Sequence, residues 1–160
     1  MISAWLGSLR DRLRAPGREL AAVPDDPELQ VRARRADALL ASGRREEGMA
    51  EYLEIFARDP GLVVELGPGI EQVAAEMGGD VWLDFRLVGL RAALDVAAAA
   101  VSAVDDDADA EWVREAYGEL LEEHRDDGAR LARIREVGRL IDAAVERGVL
   151  PRALFRRGPR

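Results

Sequence analysis

Residues 27–60 read PELQVRARRADALLASGRREEGMAEYLEIFARDP, and their spacing decides the fold. Leu29, Ala33, Ala36, Leu39 and Leu40 recur every three or four residues, which places them on one face of a helix with 3.6 residues per turn. Gly48, Met49, Tyr52, Ile55 and Phe56 do the same in a second segment. Ser42 and Gly43 interrupt the pattern between them. Two amphipathic helices joined by so short a break fold back antiparallel with their stripes facing, so the stretch predicts a helical hairpin over 27–60.

C-terminal to the hairpin the pattern stays helical throughout. In GLVVELGPGIEQVAAEMGG, Pro68 between Gly67 and Gly69 predicts a break, with one short helix at 61–66 and another from 69 to 77. Residues 81–104 are the most apolar run of the chain, and Asp80 is placed to cap it. Only Asp84, Arg86, Arg91 and Asp95 carry charge inside it. A helix apolar on most sides needs neighbours on most sides, so 81–104 is expected to be the central helix. The same four charges exclude a membrane span, since each costs roughly 2.5 to 3.5 kcal/mol at mid-bilayer. Two further helices are predicted. One, at 108–126, has Trp112, Val113, Ala116, Tyr117, Leu120 and Leu121 inward. The other, at 129–147, has Leu131, Ile134, Val137, Ile141, Ala144 and Val145 inward, with Gly148 ending it and Pro151 preventing its resumption.

The two ends differ from this body. Ile2, Trp5, Leu6, Leu9 and Leu13 form a narrow apolar stripe, so residues 1–17 read as an amphipathic helix closed by Pro16-Gly17. Two docking surfaces fit that stripe, protein and the membrane interface; the small local charge makes attraction to anionic lipid weak, and protein is favoured because any surface helix needs the same stripe. Residues 151–160 form a basic tail containing Leu154, Phe155, Arg156 and Arg157. The tail carries +4 of a chain whose net charge is −8, leaving the preceding 150 residues at −12. Docking of the tail on that acidic body or on an acidic partner is favoured over nucleic acid. Residues 18–150 are expected to form a single helical domain, with the central and C-terminal helices at 69–148 behind the hairpin.

The hairpin resembles one tetratricopeptide repeat, the 34-residue helix-turn-helix unit of interaction scaffolds, over residues 29–62. With the mid-repeat glycine at Gly43, Gly48 falls on the small position where the helices touch, and Tyr52 on the large aromatic position. Ile55 and Phe56 fall on the next buried pair, and Asp59-Pro60 on the closing Asp-Pro. Asp26-Pro27 lies 33 residues earlier. The sequence departs from the family at Arg32 and Arg35, where Trp and Leu are usual. The resemblance implies that the first helix supplies a concave binding face, here Gln30, Ala33, Asp37, Leu40 and Ala41. It also implies a protein or peptide partner. The family's carboxylate clamp of Lys and Asn is closed, because the chain contains neither residue. Arg32, Arg34 and Arg35 are the groups whose planar forks would take a carboxylate instead.

Composition narrows the chemistry further. In 160 residues there is no Cys, Lys, Asn or Thr, and all 23 basic residues are Arg. Schiff-base chemistry, thiol catalysis, disulfides and Cys-based zinc sites are therefore excluded. His124 is the only imidazole, and it continues an apolar stripe as a boundary or capping group. The acidic run Asp105, Asp106, Asp107, Asp109 and Glu111 does not fit a calcium loop, since Ala110 and Ala116 occupy the required Gly and Glu positions. It reads as a loop and helix start instead. The expectation is an acidic, all-α, cytoplasmic protein of antiparallel hairpins in an irregular bundle, without metal or cofactor. It would act as a non-enzymatic adaptor or scaffold. The alternative is a structural or oligomerising subunit docked through residues 2–14 and the tail, with a second copy of the chain among its partners.

Overall fold

A computed structural model describes residues 25–99 and 107–155, and every regular element among them is helical. The protein is all-α. In order, the elements are α1 (Pro27–Ala41), α2 (Arg45–Arg58), a 3₁₀ turn (Pro60–Leu62), α3 (Val63–Met77), α4 (Gly79–Ala99), α5 (Asp107–Glu123), α6 (Gly128–Glu146) and the one-turn α7 (Arg152–Phe155). The chain divides into two compact units between Ala92 and Ala93, within α4.

In the first unit, both Asp-Pro pairs open helical turns in the same way. Asp26 accepts from the Glu28 amide at 2.8 Å and Asp59 from the Gly61 amide at 3.2 Å. In each case proline follows as the first helical residue, where its missing N–H is not needed. Gly43, at φ +79°, closes α1: its amide donates to the Leu40 carbonyl and the Arg44 amide to that of Leu39 at 2.9 Å. This is the left-handed cap that turns the chain back. The α1 and α2 helices then run antiparallel in contact. Glu28 at the start of α1 meets Arg58 at the end of α2, and Leu40 near the end of α1 covers Gly48 near the start of α2. All five predicted α2 positions are buried, as are Leu29, Ala36 and Leu39 of α1. Ala33 and Leu40 are only half-buried, because they sit at the edge of the stripe.

An aromatic column extends this packing into α4. Tyr52 stacks on Phe56 at 6.0 Å, Phe56 meets Phe85 edge-on at 6.3 Å, and Phe85 stacks on Trp82 at 6.0 Å. Such pairs contribute about 0.5–1.5 kcal/mol each beyond the area they bury. In α4 the successive residues Leu87, Val88, Gly89 and Leu90 are all buried, so no side of that turn faces solvent. Residues 100–104, expected to complete this helix, lie outside the described residues, as do residues 1–17.

Three local expectations are corrected. Pro68 does not split its segment: α3 is one helix from Val63 to Met77. A proline inside a helix costs about 3 kcal/mol through its lost N–H and the ring's clash with the preceding turn. Here it is offset by the burial of Val63, Ile70 and Ala74. Pro68 and Gly69 are exposed, the side on which a carbonyl without its amide partner can be hydrated. Asp80 does not cap α4, which begins one residue earlier at Gly79; its charge lies in the first turn, where it still meets the positive end of the helix. Pro151 does not end helical structure, since α7 starts immediately after it and the Leu154 amide donates to the Pro151 carbonyl at 3.2 Å.

In the second unit α5 and α6 are joined by a tight turn, and α7 packs on both. Asp127 caps α6 by accepting from the Arg130 amide at 3.1 Å. Gly148, at φ +76°, ends it, with the Val149 amide donating to the Ala144 carbonyl at 2.9 Å. The buried α6 stripe is Ile134, Val137, Gly138, Ile141 and Ala144. Leu131 and Val145, expected inward, are half-buried at its ends, as Trp112, Ala116, Tyr117 and Leu121 are beside buried Val113 and Leu120 in α5.

Candidate functional site

Helix α1 carries the residues that the sequence marks for partner contact, and the α1–α2 packing sorts them into two flanks. Each residue advances by about 100° around the axis, so the buried line Leu29, Ala36 and Leu39 has Glu28, Arg32 and Arg35 on one side of it. On the other side lie Gln30, Ala33, Asp37 and Leu40. From α2, Glu51 reaches the first flank and Tyr52 the second.

The first flank is an internal ion-pair network. Glu51 meets Arg32 at 3.1 Å and Arg35 at 3.4 Å, and Glu28 meets Arg58 at 2.9 Å and Arg32 at 3.9 Å. The Glu51 side chain is only 16% exposed and that of Arg32 31%. A pair this enclosed is less screened than one in open water, and an incoming carboxylate would compete with Glu51 for Arg32.

The second flank is held differently. The Tyr52 hydroxyl donates to Asp37. Burial, then the hydrogen bond to Asp37 and the charge of that carboxylate, push the phenol well above its ordinary value. Tyr52 therefore stays a donor, and it fixes Asp37 at the rim of α1. Gly48 allows the helices to meet at this point. A Cβ there would lie 2.7 Å from Leu40 Cδ2 and 3.2 Å from the Ala36 carbonyl oxygen, so the alanine usual in the resembled family would displace Leu40.

The predicted contact residues therefore do not form one set. Gln30, Ala33, Asp37, Leu40 and Ala41 lie along one strip, with Arg34 beside it. Arg32 is on the opposite flank. Arg34 is exposed and, among the described residues, has no ion pair. Two members of the exposed surface escaped the sequence reading: Ala38 and Val31, the latter 64% exposed. Their signal was available in the helical wheel, on which they follow the strip on its solvent side. Glu51 was missed for a different reason, because its role as counter-ion depends on a helix other than its own.

The remaining candidates are placed as follows. Ile2, Trp5, Leu6, Leu9 and Leu13, together with Arg156 and Arg157, lie outside the described residues. Leu154 and Phe155 are half-buried in α7, which packs within its own unit. His124 stands just past the end of α5 with Nε2 at 3.8 Å from Glu123. Among the described residues, no group of three or more His, Asp or Glu side chains is placed to hold a metal ion, and no helix is long and apolar enough to cross a membrane. Compared with protein-family models, with curated proteins and with solved structures, the chain matches none of them.

Proposed function

We propose that this chain is a non-enzymatic cytoplasmic adaptor that binds a protein or peptide along the α1 strip of Gln30, Ala33, Asp37, Leu40 and Ala41, with Arg34 and Val31 at its margin. One observation carries the reading. Of the five charged side chains of α1, Glu28, Arg32 and Arg35 have ion-pair partners. Among the described residues, Asp37 has only a neutral phenol and Arg34 has no counter-ion. The two charges left over, of opposite sign, lie on the side away from the Glu51 network, with Arg34 one turn from exposed Val31. The small residues Ala33, Ala38 and Ala41 allow a partner's backbone to approach closely, and Asp37 supplies an acceptor for its N–H groups.

A photo-crosslinking amino acid at Ala41, compared with one at the exposed Glu54 on α2, tests this in the full chain. The expected result is a covalent adduct with a defined protein from position 41 and none from position 54. Adducts from neither position, or the same set from both, would refute the assignment of the face.

A further inference from the structure

We infer that the partner on this strip is a second copy of the same chain, α1 against α1 about a two-fold axis, with Arg34 of each copy opposite Asp37 of the other. The inference rests on the reading of the α1 strip as a contact face and names its occupant. Gln30, Arg34, Asp37 and Ala41 follow at intervals of four, three and four, the spacing of a seam along which two helices meet. Laid antiparallel on its own copy, this seam sets Arg34 against Asp37 twice and Gln30 against Ala41 twice. It also sets the flanking Val31 against Ala38 and Ala33 against Leu40.

Charge selects this pairing. In a parallel arrangement of the same seam Arg34 would face Arg34 and Asp37 would face Asp37, and like charges in register oppose association. The antiparallel arrangement gives each of the two α1 charges that have no counter-ion among the described residues an opposite charge across the axis. The other α1 charges remain on their own Glu51 and Arg58 pairs. It also covers Val31, the more exposed of the two large hydrophobic side chains most open to solvent among the described residues. The small side chains at Ala33, Ala38 and Ala41 let the two backbones close on one another. A seam of one 15-residue helix is short, so the dimer is transient and forms at high protein concentration.

Sedimentation of the full chain from about 10 µM to about 1 mM reads the association directly. Wild type is expected to dimerise over this range, and less so as salt screens the Arg34 and Asp37 pairs. Arg34→Asp and Asp37→Arg are each expected to weaken self-association by about tenfold or more. An equimolar mixture of the two variants is expected to recover a heterodimer, because one chain is then acidic at both positions and the other basic at both. Val31→Glu, which does not touch the Tyr52 hydrogen bond, is expected to weaken the dimer too and serves if Asp37→Arg fails to fold. A wild-type chain that is monomeric throughout overturns self-pairing. So does a dimer indifferent to Arg34→Asp, or two folded variants that do not recover on mixing. Self-pairing that fails while position 41 still crosslinks to another protein leaves the contact face intact and rejects only this occupant.

Discussion

Gly138→Ala tests the packing of α5 on α6 where the Tyr117 ring lies over Gly138. A Cβ at position 138 would lie 2.2 Å from Tyr117 Oη, 2.8 Å from Cζ and 3.3 Å from Cε2. Non-bonded heavy atoms settle near 3.5–4.0 Å, so the ring tip must retreat by roughly 1 Å or more. Overpacking of that kind costs about 1–3 kcal/mol. Against it stands the helix preference of alanine over glycine, about 1 kcal/mol. The net expectation is a destabilisation of about 1 kcal/mol. In a Tyr117→Ala background the clash is gone and only the preference remains. Gly138→Ala should there stabilise by up to about 1 kcal/mol, so that the two positions couple by about 2 kcal/mol. Tyr117→Ala itself removes a half-buried ring and should cost about 2 kcal/mol, below the 3–5 of a fully buried aromatic. Hydrogen exchange of α5 and α6 segments during urea titration reads the unit that contains both residues. If Gly138→Ala has the same effect with and without the Tyr117 ring, the close approach does not govern the packing.

Two further expectations concern pH. Burial and the Asp37 carboxylate raise the Tyr52 phenol above its free value of 10.0, so its contribution is whole below that pH and is lost as the pH climbs through the raised value. Tyr52→Phe should cost about 1 kcal/mol at neutral pH and should flatten the decline in stability above pH 10, leaving the part due to Tyr117. That phenol is also raised, by burial and then by the charge of Asp142, with Arg135 opposing; an unchanged alkaline limb in Tyr52→Phe would refute the assignment. At the other end of the scale, Glu76 is held below the ordinary carboxylate range by its hydrogen bond from Arg45 at 2.5 Å, then by the one from Gln72 at 2.9 Å and by the Arg45 charge. Its contribution is present above the unfolded value and fades as the pH falls through the lowered one. In Arg45→Ala an NMR titration should show the Glu76 carboxyl titrating at higher pH, and no upward movement would show that the contact is not populated in solution.

Much of the fold is legible in the sequence because helix burial has a local signature. In α2 the spacing of Gly48, Met49, Tyr52, Ile55 and Phe56 identified every buried residue, and Gly43 and Gly148 marked the helix ends they cap. Where the reading failed, the missing quantity was non-local. Pro68 is a helix breaker by its own chemistry, and it sits within α3 because the burial of Val63, Ile70 and Ala74 outweighs it. Leu40 has the spacing of a core residue, yet its position at the edge of the α1–α2 contact leaves it half exposed.

The candidate site shows the same division. Sequence alone determined that α1 is amphipathic, that its arginines cluster in VRARR, and that Lys, Cys and Asn chemistry is absent, since these depend only on residue type and helical period. Which arginines are already neutralised was decided by tertiary structure, because an ion pair requires two side chains within about 4 Å, and that distance is set by the register of one helix on another. Glu51 lies 19 residues from Arg32 in the chain and 3.1 Å from it in space. Arg34, two residues along, faces away from it.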